Sequence, residues 1–333
     1  MKKNLIYLII LMVLLGFAWW ITQQDDRSTL NPDEARFSVE DTAAIDRIFL
    51  ADKASRTILL EKQGPGNWTV NGKYPARADG IETLLSTLLR LEVKAPVPRA
   101  GVENVKKQIS ATGKKVEVYV GKNRIRTFYV GHPTVDSRGT YFINENAELP
   151  YIMYLPAWEG YVSPHFNTNE EDWRERIIMR LNPDSIVEIA THFPENPELD
   201  YVLRMPENRK FSLFEGSGKR EIPVDEAEAI ALFSTFKKIP VEGYDNLSPM
   251  RDSIVNMAPH FMEVRVKEAN GKRHTVKTYF KSQLNTLDVV LLGVMPDLDR
   301  DYFFYEEAND FGFIQRRAVP AFYHTLNELK AKD

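Results

Sequence analysis

The side chains with the widest chemical reach are six histidines, at positions 132, 165, 192, 260, 274 and 324. Two imidazoles on one helical face, as in His-Glu-x-x-His, would suit zinc. No pair here has that spacing. His132-Pro133, Pro164-His165 and Pro259-His260 set three of them beside proline, in turns where an imidazole bonds locally. Asp297-Leu298-Asp299-Arg300-Asp301 begins like a calcium loop, whose alternating carboxylates converge on one cation. Such a loop needs glycine sixth and glutamate twelfth, and Tyr302 and Ala308 stand there, so the segment reads as a polar hairpin end before a strand. Glu170-Glu171 and Glu306-Glu307 carry the groups for general acid–base work. Glycoside cleavage needs two carboxyls across a cleft, and adjacent acids are ordinarily solvated surface. Gly64-Pro65-Gly66 and Gly216-Ser217-Gly218 lack the spacing and lysine of a phosphate cradle and read as turns. There is no Gly-x-Ser-x-Gly elbow for a hydrolase serine. With no cysteine, disulfides, thiolate sites, a cysteine nucleophile and a lipidated cysteine are excluded. The expectation is a chain with no catalytic residue, no metal and no cofactor.

The elements that would position any site occur twice. Ile45-Asp46-Arg47-Ile48 is echoed by Ile186-Val187-Glu188-Ile189, and Asn67-Trp68-Thr69-Val70 by Lys210-Phe211-Ser212-Leu213. The stretch 84–93 returns as 232–241, Val116-Glu117-Val118 as Met262-Glu263-Val264, and Pro156-Ala157-Trp158 as Pro320-Ala321-Phe322, always in one order. Each copy opens with short strands (46–50, 56–61 and one around Trp68) and the tight-turn pair Asn71-Gly72. A helix opened by Asp79 follows, with Ile81, Leu84, Leu85, Leu88 and Leu91 on one face. Asp225 opens its counterpart. Shorter helices (102–109, 250–257), alternating hairpins (116–120 with 124–130, 262–266 with 273–280) and further strands complete each unit. The fold class is α+β: a tandem duplication of an antiparallel sheet with covering helices, preceded by one N-terminal transmembrane helix. Residues 1–22 are the membrane anchor, 23–43 a juxtamembrane linker, 44–165 the first repeat, 166–183 a linker and bridge, and 184–333 the second repeat. The end of the chain puts Val319, Phe322, Tyr323, Leu326 and Leu329 on one helical face directed at the core.

The anchor rests on the apolar run Leu5 to Ile21, behind Lys2-Lys3 and before Gln23-Gln24-Asp25-Asp26. It reaches the lower limit of a span, about 17 residues. The lysines favour an inside N-terminus, so the protein is expected in the bacterial inner membrane, single-pass, with its C-terminal region periplasmic. A cleaved signal peptide is the rival reading, and Phe17-Ala18-Trp19-Trp20 is a poor cleavage site. With 43 basic against 47 acidic residues and a net charge of -4, no basic face for nucleic acid is implied. Trp68, Trp158, Phe211 and Phe322 hold equivalent places in the two copies, which favours core packing. Tyr161, Phe166 and Trp173 have no counterpart and are the candidates for a partner surface.

Trp68-Thr69-Val70, Asn71-Gly72-Lys73-Tyr74-Pro75-Ala76 with its following helix, and Trp173-Arg174-Glu175-Arg176-Ile177-Ile178 resemble the bacterial family known as domain of unknown function 4340, best over 45–189. That resemblance implies an envelope protein, in some members associated with ABC transporters of the gliding-motility type. It carries over no catalytic residue. The chain has no nucleotide-binding lysine loop, so any role in transport is that of an accessory. The leading expectation is a membrane-tethered, non-catalytic periplasmic binding or scaffold protein, whose partners are the inner membrane and another envelope protein. A glycan- or small-ligand-binding receptor and a carboxylate-dependent hydrolase are the alternatives.

Overall fold

The structure, a computed structural model, describes residues 11–16, 19, 34–205, 210–216, 218, 220–282 and 295–331. The chain divides into two compact units between Trp173 and Arg174, each built on a nine-stranded sheet. In the first, β1 (Arg47–Ala51), β2 (Thr57–Gly64), β3 (Asn67–Val70) and β4 (Tyr74–Pro75) form a meander. Helix α1 (Ala78–Arg90), β5 (Glu92–Pro96) and helix α2 (Arg99–Thr112) lead to a second meander. Its strands are β6 (Lys114–Val120), β7 (Asn123–Pro133), β8 (Thr140–Asn144) and β9 (Tyr151–Tyr154). Strand β6 joins the meanders by pairing with β1, and β5 closes the far edge on β9, giving the order β4-β3-β2-β1-β6-β7-β8-β9-β5.

Helix α3 (Glu170–Trp173) ends the first unit, and β10 (Ile177–Met179) begins the second. There β11 (Ile186–His192), β12 (Tyr201–Arg204), β13 (Ser212–Glu215) and β14 (Arg220–Ile222) precede helix α4 (Glu226–Thr235), β15 (Ile239–Pro240), β16 (Gly243–Tyr244) and helix α5 (Arg251–Met257). Strands β17 (Met262–Glu268), β18 (Arg273–Ser282), β19 (Pro296–Tyr305) and β20 (Asp310–Gln315) and helix α6 (Leu326–Leu329) complete it. The order is β14-β13-β12-β11-β17-β18-β19-β20-β16, the first sheet repeated strand for strand. The duplication visible in the sequence is therefore a duplication of topology.

Period-two alternation builds each core. Ile48, Leu50, Ile58, Leu60, Val116, Val118, Phe128 and Val130 are buried on one face of the first sheet, under Ile81, Leu84 and Leu88 of α1. Each such side chain contributes about 1.5–3 kcal/mol on leaving water. The other face carries Tyr129, Tyr141, Ile143 and Ile152, packed under Val105 and Ile109 of α2. The second core repeats the first, with Leu232 and Phe233 of α4 over Ile189, Leu203, Val264 and Val276.

The transmembrane helix expected over residues 1–22 falls largely outside the described residues, and no helix among the described residues is long and apolar enough to cross a membrane. Other expectations need correction. Residues 34–39, expected in the juxtamembrane linker, pack into the first unit. Phe37 is buried edge-on against Phe128, Phe142 and Tyr151, and the Val39 N–H donates to the Leu88 carbonyl at 2.9 Å. Likewise 166–173, expected to be linker, folds onto the first unit: Trp173 accepts from the Arg77 N–H at 2.8 Å and gives its indole N–H to the Asn167 carbonyl at 2.8 Å. Strand β10 pairs only with β15, in a separate two-stranded sheet. Asp79 lies within the first turn of α1 rather than capping it, whereas Asp225 caps α4 by accepting from the Ala227 and Glu228 N–H groups. The terminal helix is broken by a 3-10 turn at Pro320–Phe322 and restarts at Thr325 with a capping box, yet Val319, Phe322, Leu326 and Leu329 reach the core.

Candidate functional site

Helix α1 buries its Ile81–Leu84–Leu88 stripe and turns Glu82, Thr83, Ser86 and Arg90 the other way. Past β9 the chain returns over that polar side. Ala157 adopts φ +60°, a left-handed conformation uncommon for a residue with a Cβ, and Trp158 emerges 43% exposed. A Cβ added at Gly160, itself at φ +149°, would come within 2.7 Å of the indole, so only glycine lets the loop close beneath that ring. A 3-10 turn at Ser163–Phe166 then buries Phe166 and brings His165 against α1. Glu82, Thr83, Ser86, Thr87, Arg90, the Leu155–Trp158 loop and His165 line an open cleft of about 470 Å³, within the rough 300–1,000 Å³ range of small-molecule sites. A recess of about 120 Å³ adjoins it, sharing Thr83 and His165.

The Thr87 hydroxyl holds His165 in place: it lies 2.7 Å from the Thr83 carbonyl and 2.7 Å from His165 Nδ1. Burial lowers the imidazole pKa, which favours the neutral ring. The indole of Trp158 stands 5.6 Å from the His165 ring, centroid to centroid. The cleft thus joins an exposed aromatic face, a guanidinium, a carboxylate, hydroxyls and an imidazole.

Several other chemically capable residues are held in structural bonds, whereas His260 Nε2 and His324 Nδ1 are buried without a hydrogen-bond partner. Asp297 accepts from the Asp299 and Arg300 N–H groups, and Asp301 from Arg316 and Tyr323. These aspartates lie along β19, where about 3.3 Å per residue spreads them instead of converging them. Glu170 accepts from Asn71 at 2.6 Å, Glu306 pairs with Lys277 at 2.5 Å, and Glu307 accepts from the Thr275 N–H at 2.8 Å. His274 lies between Tyr305 at 2.6 Å and Glu268 at 3.0 Å, His192 bonds Asp200 at 2.8 Å, and His132 lies 2.6 Å from Thr112. Among the described residues no group of three His, Asp or Glu side chains is placed to hold a metal ion.

Of the three aromatics expected at a partner surface, only Tyr161 is exposed, at 39%. Phe166 and Trp173 are buried in the first core, because the segment carrying them closes that unit. Conversely Trp158, expected in the core with Phe322, is exposed, while Phe322 is fully buried. Sequence reasoning missed the grouping of Glu82, Ser86, Arg90 and His165. Polar residues recurring every fourth position opposite the leucine stripe were the available signal.

A duplicated antiparallel α+β protein with an open polar-aromatic cleft beside α1 is the class that fold and site define. The chain belongs to the family described as domain of unknown function (DUF4340), whose model matches residues 68–251, more than half its length. That stretch begins in β3 and ends at the start of α5, so it crosses from the first unit into the second. No curated protein matches the chain. No solved structure matches it either.

Proposed function

We propose that this protein is a membrane-tethered, non-catalytic binding or scaffold module of the bacterial envelope, with its C-terminal region in the periplasm and an accessory role beside an ABC transport system. The tether reading is supported by the run from Leu5 to Ile21 behind Lys2-Lys3. The binding reading is carried by one observation. Asp301, Glu268, His274, His192 and Asp200 are tied into the second sheet by structural bonds, while the α1 cleft leaves Trp158 half-exposed among unlike polar groups. Binding sites join a shaped surface to a few placed polar groups, and that cleft has both.

The test is photocrosslinking in native membranes, from a crosslinking residue at Tyr161, beside the cleft, and at Lys122, in the exposed β6–β7 turn. A defined envelope component joined at Tyr161 and absent at Lys122 is expected. Turnover of envelope polymers by the purified chain, or protection of its C-terminal region from protease added outside spheroplasts, refutes the reading.

A further inference from the structure

Trp158 shares a Pro-Ala pair with Phe322 but not its place in the fold. The ring that corresponds to Phe322 is Phe166: each ends a 3-10 turn, is fully buried and stands four residues before a short helix whose last carbonyl, of Trp173 or Leu329, accepts from the N-cap N–H of the covering helix, Arg77 or Asp225. Trp158 lies in the loop before that turn, where the left-handed Ala157 carries the ring outward and Gly160 closes the loop beneath it. Backbone strain of this kind is kept where the surroundings over-determine it. The cleft that holds the exposed ring is lined also by Arg90, Glu82, Ser86 and His165. Arg90 is exposed and makes a 3.5 Å contact to the Ser86 carbonyl.

We propose that the α1 cleft is a saccharide subsite, in which Trp158 stacks on the apolar face of a sugar ring while Arg90, Glu82 and His165 take its hydroxyls. The inference rests on the binding-module reading and names its ligand class. A sugar ring has C–H groups on one face and hydroxyls, each donor and acceptor, around its rim. One flat indole ringed by mixed polar groups matches that pattern. A proline-rich peptide calls for a groove lined by several aromatics, and a phosphorylated ligand for clustered arginines. The cleft has one aromatic platform and one arginine.

The test is binding of the full chain, in detergent, to an immobilised panel of bacterial glycans: peptidoglycan sacculi, lipopolysaccharide core oligosaccharide and capsular polysaccharide. A proline-rich peptide library is the other arm. Saccharide binding is expected in the wild type, weakened about tenfold or more in Trp158→Ala and largely kept in Trp158→Phe. Gly160→Ala, which displaces the indole without touching Arg90, is expected to weaken it too. Arg90→Gln lowers affinity through lost hydroxyl contacts. Unchanged circular dichroism establishes that each variant is folded. The inference is overturned if no glycan binds, if Trp158→Ala binds as the wild type does, or if only peptides bind. Specific crosslinking from Tyr161 to a protein, without glycan binding, would overturn the saccharide and leave the binding module standing. Turnover of the glycans would overturn both.

Discussion

Replacing Arg316 with Met tests whether the buried carboxylate of the second unit is held for stability. Asp301 is fully buried in β19. Arg316 reaches it through Nε and Nη2, both at 2.7 Å, and the Tyr323 hydroxyl donates to it at 2.6 Å. Burial and the Asp301 charge push the Tyr323 pKa far up, so that hydroxyl keeps its proton. Arg316→Met leaves the carboxylate inside with one neutral donor. Breaking a buried ion pair by removing one partner costs about 3–5 kcal/mol. The Arg316 side chain is 30% exposed, so entering water offsets part of that, and about 2–4 kcal/mol is expected. At about 2–4 °C per kcal/mol for a unit of this size, melting falls by roughly 5–15 °C. Asp301→Asn in the Arg316→Met background removes the charge and recovers part of the loss. Urea unfolding gives the magnitude, and hydrogen exchange locates it, with protection lost in β19 and β20 but kept in β1 to β9. A change below 1 kcal/mol in Arg316→Met, or exchange rising equally in both sheets, would refute the reasoning.

Three further perturbations address the first unit and one the second. Burial tends to raise the Asp52 pKa, but bonds from Thr168, Arg56 and the Arg56 and Ala54 N–H groups outweigh it and bring it to about 2. The folded value lies below the unfolded one, so this stability is present above about pH 4 and lost as pH falls toward 2; Asp52→Asn flattens the decline in chemical denaturation. Burial lowers the pKa of His165, and also of His260 in the second unit. The unfolded chain then takes up the proton first, so stability is full above about pH 6.5 and declines below it; unfolding midpoints at pH 7.5 and 5.5 draw closer in His165→Gln. Phe166→Ala and Trp173→Ala should each cost about 3–5 kcal/mol, against roughly 0.5 kcal/mol or less for the exposed Tyr161→Ala; equal effects would contradict the burial pattern. A Cβ added at Gly312 would meet the Gly243 carbonyl oxygen at 2.1 Å, so Gly312→Ala is expected to cost about 1–3 kcal/mol and to expose β16 to exchange.

The sequence by itself determined the repeating unit. Alternation in Val116–Val118 and Met262–Val266, and the Leu84–Leu88 stripe, record a local choice between facing water and facing apolar neighbours. That choice is made twice in one order, so the duplication was legible before any coordinate. Turn chemistry was equally local: Asn71 and Gly72 both take positive φ, as their pairing implied. Tertiary structure alone decided what depends on packing between distant segments. Phe37 lies outside every repeated block yet fills a ring cluster with Phe128, Phe142 and Tyr151. Pairing β5 with β9 and β16 with β20 sets the sheet edges through partners remote in sequence. The sequence matched Trp158 with Phe322, but in the fold the buried counterpart of Phe322 is Phe166, and Trp158 sits in the loop before it. The cleft exists because a loop after β9 and the outward side of α1 meet in space. Periodicity states which way a side chain points; only the folded chain states what stands opposite.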